Sequence, residues 1–200
     1  MTPREKYQHR VSDDVIVHEL GHAIIGNEVG IMERGIELRD PSTGEIARAH
    51  YSTKGVDKRL LIIRGLAGMY VQARIAPVCL PFDLCGQILT GTLFSKHLTN
   101  IMAATVPPSV TNAGFQGDWG RIMEIAKGVS KDQSGILAQL NSAHASLQTL
   151  FINGKIEPKV KAGKRDFEQW FDMDDDNVQF MEHLIYPFSR LKVALNRSED

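Results

Sequence analysis

Cysteine is scarce in this chain. Two in 200 residues cannot build the dense disulfide framework of a small secreted domain. Long apolar runs are missing too: none approaches the roughly 20 residues that a bilayer-spanning helix needs. The polar opening Met1-Thr2-Pro3-Arg4-Glu5-Lys6 is not followed by the apolar core of a signal peptide. Nor does charge of one sign accumulate. The chain carries 23 Lys+Arg against 24 Asp+Glu, a formal net charge of −1, which is no footprint for nucleic acid or for an anionic membrane. Internal repeats and low-complexity tracts are absent. What remains, 42% hydrophobic and 24% charged residues, is the composition of an ordinary globular protein with one core. A cytoplasmic location is the expectation.

Apolar periodicity and turn residues divide the chain. Residues 1–11 are polar and are expected to fray. Ser12 followed by Asp13 and Asp14 reads as a helix start, because acids favour the positive end of the helix dipole. That helix is expected to run from Asp13 to about Asn27. Ile36, Leu38, Ile46, Ala47 and Ala49 flank Asp40-Pro41-Ser42-Thr43-Gly44, the pattern of two short strands around a turn. Lys58–Ala76 reads as a second helix. Gly65, Ala67 and Gly68 weaken it but would let a neighbouring helix approach closely. Residues 77–113 contain Pro77, Pro81, Pro107 and Pro108 and read as a loop-rich insertion with one short helix near Leu89–Ala103. Helices follow at Asp118–Val129 and Ser134–Phe151. Lys155–Arg165, with Pro158 and Gly163, reads as a linker, Asp172–Asp176 as an acidic turn, and Asn177–Leu195 as a last helix.

One motif carries chemistry. Val17-His18-Glu19-Leu20-Gly21-His22-Ala23 contains H-E-x-x-H inside the first helix. Chance ordering of 7 His and 11 Glu in 200 residues produces that pattern roughly 0.01 times per chain. Four residues is one helical turn, so His18 and His22 share a face and can grip one metal ion together. Glu19 lies beside that face, where its carboxylate can reach a water without taking a coordination site. A catalytic zinc needs a third protein ligand. The metzincin continuation is absent, since Ile25 and Glu28 occupy its glycine and histidine positions. Asp118, after the glycine-rich approach Gly114-Phe115-Gln116-Gly117, has two readings on pattern alone: a helix N-cap or the missing ligand. Cys79 and Cys85 are too far apart for a zinc knuckle and read as buried thiols, and Trp119 and Trp170 as core anchors.

These motifs together resemble the zinc peptidase domain of the FtsH-type AAA+ proteases. His18-Glu19-Leu20-Gly21-His22 matches that family's H-E-x-G-H. Thr111-Asn112-Ala113-Gly114 through Glu124-Ile125-Ala126 resembles its downstream segment, with the aspartate ligand falling on Asp118. Arg64–Ala73 resembles the small-residue helix that packs on the zinc helix, although Met69-Tyr70-Val71-Gln72 stands where Arg-Ala-Ala-Glu is usual, and Gly117 where Asn is. The likeness covers residues 11–152. It implies a mainly α, zincin-like peptidase domain spanning 1–200, with a small hairpin or short sheet beside the active-site helix and a divergent helical part at 153–200. It further implies Zn2+ held by His18, His22 and Asp118, with Glu19 as the catalytic base acting on a polypeptide substrate. Residues 35–39 or 45–50 would pair with that substrate as a strand. No side chain is assigned to stabilise the reacting oxygen, since Tyr70 and Arg121 have no supporting spacing. No phosphate-binding G-x-x-x-x-G-K-[ST] occurs, so either a separate ATPase partner, a homo-oligomer or free-standing action is expected. Two rival readings stand beside this one. The first is a catalytically silent peptidase-fold regulator or adaptor that binds peptides. The second is another type of zinc peptidase whose third ligand is Asp83, Glu124 or His50.

Overall fold

The computed structural model of the chain describes residues 1–9, 11–40, 42, 46–77, 80–97, 113–175, 178 and 183–197. It is mainly helical, with a small antiparallel sheet of three strands. A short helix α1 (Pro3–Tyr7) leads into α2 (Asp13–Glu28). Strands β1 (Glu33–Leu38) and β2 (Ala47–Tyr51) follow, then α3 (Lys58–Ile75), α4 (Phe82–Thr90) and α5 (Thr92–Lys96). Three more helices come next: α6 (Ala113–Val129), α7 (Gln133–Ile152) and α8 (Ile156–Phe171). Strand β3 (Leu184–Pro187) and helix α9 (Phe188–Asn196) complete the order.

Helix α2 is the axle of the molecule. Its residues from Ile16 to Gly26 are all buried, as expected of a helix without a polar face. Its most extensive partner is α3, and small residues make the approach possible. A Cβ on Gly21 would lie 3.0 Å from the Ala67 carbonyl oxygen and 2.8 Å from Val71 Cβ. A Cβ on Gly65 would lie 2.7 Å from Ile122, so the same helix admits α6 on another side. Helix α8 packs on α2 as well, where Gly163 leaves room for Leu20 and Leu191.

In the sheet, β1 is central, paired with β2 on one side and β3 on the other. The register places Ile36 opposite Ala49 and opposite Tyr186. A register irregularity falls between Glu33 and Gly35. Gly35 has φ +153°, and a Cβ there would lie 2.5 Å from the Tyr186 carbonyl oxygen, so glycine is required. Next to this bulge the Glu33 carboxylate is fully buried and takes the Arg64 guanidinium in a two-pronged pair at 2.6 and 2.9 Å. This pair ties the sheet to α3.

Several sequence expectations are corrected. Within the stretch expected to fray, Pro3–Tyr7 forms α1, where Thr2 and Glu5 make a reciprocal capping box and Arg4 pairs with Asp172. Lys155–Arg165 is not a linker but the body of α8. Pro158 sits in the first turn, where its missing N–H costs no helical bond, and Gly163 is a packing gap. The helix expected over Asn177–Leu195 is strand β3 followed by α9, with Pro187 at the junction. Residues 184–187 alternate between buried and exposed, too short a signal to read from sequence. The helix expected at Leu89–Ala103 lies earlier, as α4 and α5, and its end falls outside the described residues. Ser12 occupies the N-cap position of α2, but its hydroxyl makes no capping bond. Cys79 falls outside the described residues. Cys85 is half-buried and points its thiol at the Ala73 carbonyl. Trp119 and Trp170 are core residues. Among the described residues no helix is long and apolar enough to cross a membrane.

Removing one side of the Glu33–Arg64 pair strands a buried charge, which costs far more than the intact pair contributes. Glu33→Ala should lower the unfolding free energy by about 3–5 kcal/mol in urea titration. A loss under about 1 kcal/mol would show that the pair does not hold the sheet in place.

Candidate metal centre

His18 and His22 project from adjacent turns of α2, with ring centroids 4.8 Å apart. Asp118 reaches them from α6, about one hundred residues away in sequence. Its helix begins at Ala113, so Asp118 stands in the second turn and not at the N-terminus, which removes the capping reading. The chain of causes is local. Gly65 on α3 admits Ile122, and Ile122 lies one turn beyond Asp118, so close packing there carries the carboxylate to the histidines.

Three donor atoms then converge. Asp118 Oδ2 lies 2.8 Å from His18 Nε2 and 2.9 Å from His22 Nε2, and the two Nε2 atoms are 3.2 Å apart. A tetrahedral zinc with ligand distances of about 2.0–2.1 Å spaces its donors roughly 3.3 Å apart, close to this triangle. Among the described residues this is the one set of three His, Cys, Asp or Glu side chains with atoms gathered closely enough to hold a metal ion.

The outer nitrogens decide what the inner ones can do. His22 Nδ1 lies 2.7 Å from the Arg64 carbonyl oxygen, which can only accept, so Nδ1–H donates. His18 Nδ1 lies 3.0 Å from Gln72 Oε1, while the Gln72 amide nitrogen turns to Asp14. Both imidazoles in their neutral form therefore aim an Nε2 lone pair at each other and at a carboxylate oxygen. Three lone pairs meeting in one buried place repel unless a cation joins them. A proton serves in part. Burial presses His18 toward neutrality, but the Asp118 carboxylate outweighs it and raises the pKa to about 9. Burial acts on Asp118 as well, yet the two imidazoles hold its pKa well below the usual carboxylate range. A metal ion satisfies all three donors at once and displaces the proton. The glycine leaves a gap beside them: a Cβ on Gly68 would lie 2.4 Å from His22 Nε2 and 2.7 Å from His18 Nε2.

Glu19 is buried beside this triad. Its Oε2 accepts the backbone N–H of Ala49 at 2.6 Å. Burial raises its pKa, opposed by the charges of His18 and His22. Its other oxygen has no hydrogen-bond partner among the described residues. Ala49 lies on the outer edge of the sheet. Arg39 N–H donates to the Ile46 carbonyl and Ser52 N–H to the Met32 carbonyl, so the even positions of β2 face β1. Ala47, Ala49 and Tyr51 turn their backbone groups outward. The Ala49 carbonyl accepts from Arg64 Nη2 at 3.1 Å. Arg64 thus touches the site twice, orienting His22 through its own carbonyl and gripping the strand that orients Glu19.

The remaining candidates go elsewhere. His50 pairs with Glu37 at 2.7 Å, and Asp83 and Glu124 are exposed on α4 and α6. Tyr70 is a buried core ring against His144 and Phe151. Residues 35–39 cannot receive a substrate strand, because β1 is paired on both sides; of the two edge strands, β2 is the one that touches Glu19. A cavity of about 500 Å3 lined by Tyr7, His9, Glu37, Arg39, Asp40 and His183 shares no residue with the triad. Four supporting groups escaped the sequence reading: Gln72, the Arg64 carbonyl, the Ala49 amide and the gap at Gly68. Gln72 and Gly68 each left a trace, one as a departure from a family pattern and the other as a small residue in a helix.

No protein-family model, curated protein or solved structure matches the chain. The site therefore stands on its own geometry.

Gly68→Ala places a methyl group where the cation would sit. We expect zinc affinity to fall about 100-fold, with helix content by circular dichroism unchanged. Zinc binding equal to that of the unaltered chain would show that the gap at Gly68 does not serve a metal.

Proposed function

We propose that the chain is a zinc-dependent endopeptidase of zincin type, similar to the peptidase domain of the FtsH-type AAA+ proteases. The observation that carries this reading is the meeting of His18 Nε2, His22 Nε2 and Asp118 Oδ2, with the Glu19 carboxylate held beside them. Three protein ligands fit a catalytic zinc, which keeps a fourth position open, better than a structural one, which closes with four. A purely structural site would also have no use for a buried carboxylate at the motif's second position. A zinc ion bound there supplies polarisation of a substrate carbonyl and acidification of water.

The chain's own groups do the rest. Gln72 and the Arg64 carbonyl keep both imidazoles in the tautomer that presents Nε2. The Ala49 N–H fixes one oxygen of Glu19 and leaves the other to accept a proton from the attacking water. Glu19 then delivers that proton to the leaving amine nitrogen. A polypeptide substrate lies extended along the outer edge of β2. Ala47 and Tyr51 offer it outward backbone groups, and Ala49 between them brings its backbone past Glu19.

Glu19→Gln keeps the size and the hydrogen bond to Ala49 but cannot take a proton. The variant should bind one zinc per chain and lose at least about 100-fold in hydrolysis of an unfolded protein substrate. Equal turnover by the variant and the original chain would remove Glu19 from the mechanism.

A further inference from the structure

One cation near the cleft has no task in this mechanism. Arg121 follows Asp118 by three residues on α6, so the two side chains share a face on neighbouring turns. Its guanidinium carbon lies 6.0 Å from the centroid of the Tyr51 ring. Tyr51 occupies the last outward-facing position of the edge strand β2. A second guanidinium, that of Arg64, lies 3.7 Å over the same ring. Its Nε and Nη2 groups, however, are committed to Glu33 and to the Ala49 carbonyl. The charges of Arg64 and Glu33 cancel. Arg121 is exposed and has no hydrogen bond or ion pair among the described residues. This end of the strand therefore sets an exposed guanidinium beside an aromatic ring. From Ala47 to Tyr51 an extended chain covers about 13 Å, enough for one segment to pass Glu19 and reach Arg121.

We infer that Arg121 and Tyr51 form a carboxylate-recognising subsite for the polypeptide substrate. The guanidinium takes the carboxylate through paired N–H donors, and the Tyr51 ring supports the stacked assembly. The carboxylate belongs either to an Asp or Glu side chain of the substrate or to its C-terminus. Arg121 is a specificity-determining residue in this role, since proton transfer belongs to Glu19. The path of the substrate rests on the peptidase reading, but the selectivity rests on Arg121.

The test uses zinc-loaded Glu19→Gln chain, so that binding is read without turnover. Fluorescent ten-residue peptides are titrated by anisotropy: one neutral and amidated, one with Glu before the central bond, one with Glu after it, and one with a free C-terminal carboxylate. One of the carboxylate peptides should bind about tenfold tighter than its Gln or amide twin, and added salt should shrink that gain. The peptide that gains identifies the source of the carboxylate. Introducing Arg121→Gln should erase the gain at unchanged zinc content, and Arg121→Glu should transfer it to a Lys-containing peptide. A gain that survives Arg121→Gln, or no gain for any carboxylate, overturns the subsite. Cleavage of the same peptides by the unaltered chain judges the peptidase reading separately. Cut peptides without carboxylate preference sink only the subsite, whereas peptides that bind with preference and stay uncut sink only the peptidase.

Discussion

Three lone pairs directed at one buried point are the constraint on which the structure turns. Two imidazole nitrogens and a carboxylate oxygen gathered at 2.8–3.2 Å have lost hydration, and one proton among them can satisfy the group only in part. A shared cation would resolve the conflict. The protein invests in that arrangement at several places: the glycine at 68 that leaves room, the amide of Gln72 and the carbonyl of Arg64 that set the tautomers, and the glycine at 65 that lets α6 come near.

Arg64 is the node through which fold and site communicate. Its guanidinium, buried against Glu33, holds β1 to α3 and also takes the Ala49 carbonyl. Its backbone oxygen receives His22. A buried ion pair seldom adds stability over an apolar alternative of the same shape. Its value here is positional, since it fixes the edge strand relative to α2. The strand in turn holds Glu19 through a single amide. Disturbing this node should therefore reach Glu19 and His22 together.

Much of this was legible in the residues, and what was not has a physical reason. The H-E-x-x-H spacing exposes itself because helical geometry turns a four-residue interval into a shared face. The boundaries of α2, α3 and α7 lie close to those expected, and Gly65, Ala67 and Gly68 announced that a neighbouring helix could approach α3 closely; Ala67 and Gly68 face α2, and Gly65 faces α6. Asp118 could be read two ways, because a cap and a ligand demand the same residue type; only the start of α6 at Ala113 separates them. The third strand was hidden since Leu184–Pro187 is four residues long and pairs with a partner about 150 positions away. Contacts made by backbone groups, such as the Ala49 amide and the Arg64 carbonyl, leave no mark on residue identity at all. The helix at Ile156–Phe171 was mistaken for a linker because proline and glycine were weighed by type and not by position.

Zinc-edge X-ray absorption on the purified, zinc-loaded chain tests the central claim most directly. One ion per chain is expected, with the outer-shell scattering of two imidazoles and a first shell of nitrogen and oxygen donors at about 2.0–2.2 Å, and with occupancy falling well below one in Asp118→Ala. An ion bound without imidazole, or no stoichiometric metal at all, would contradict it.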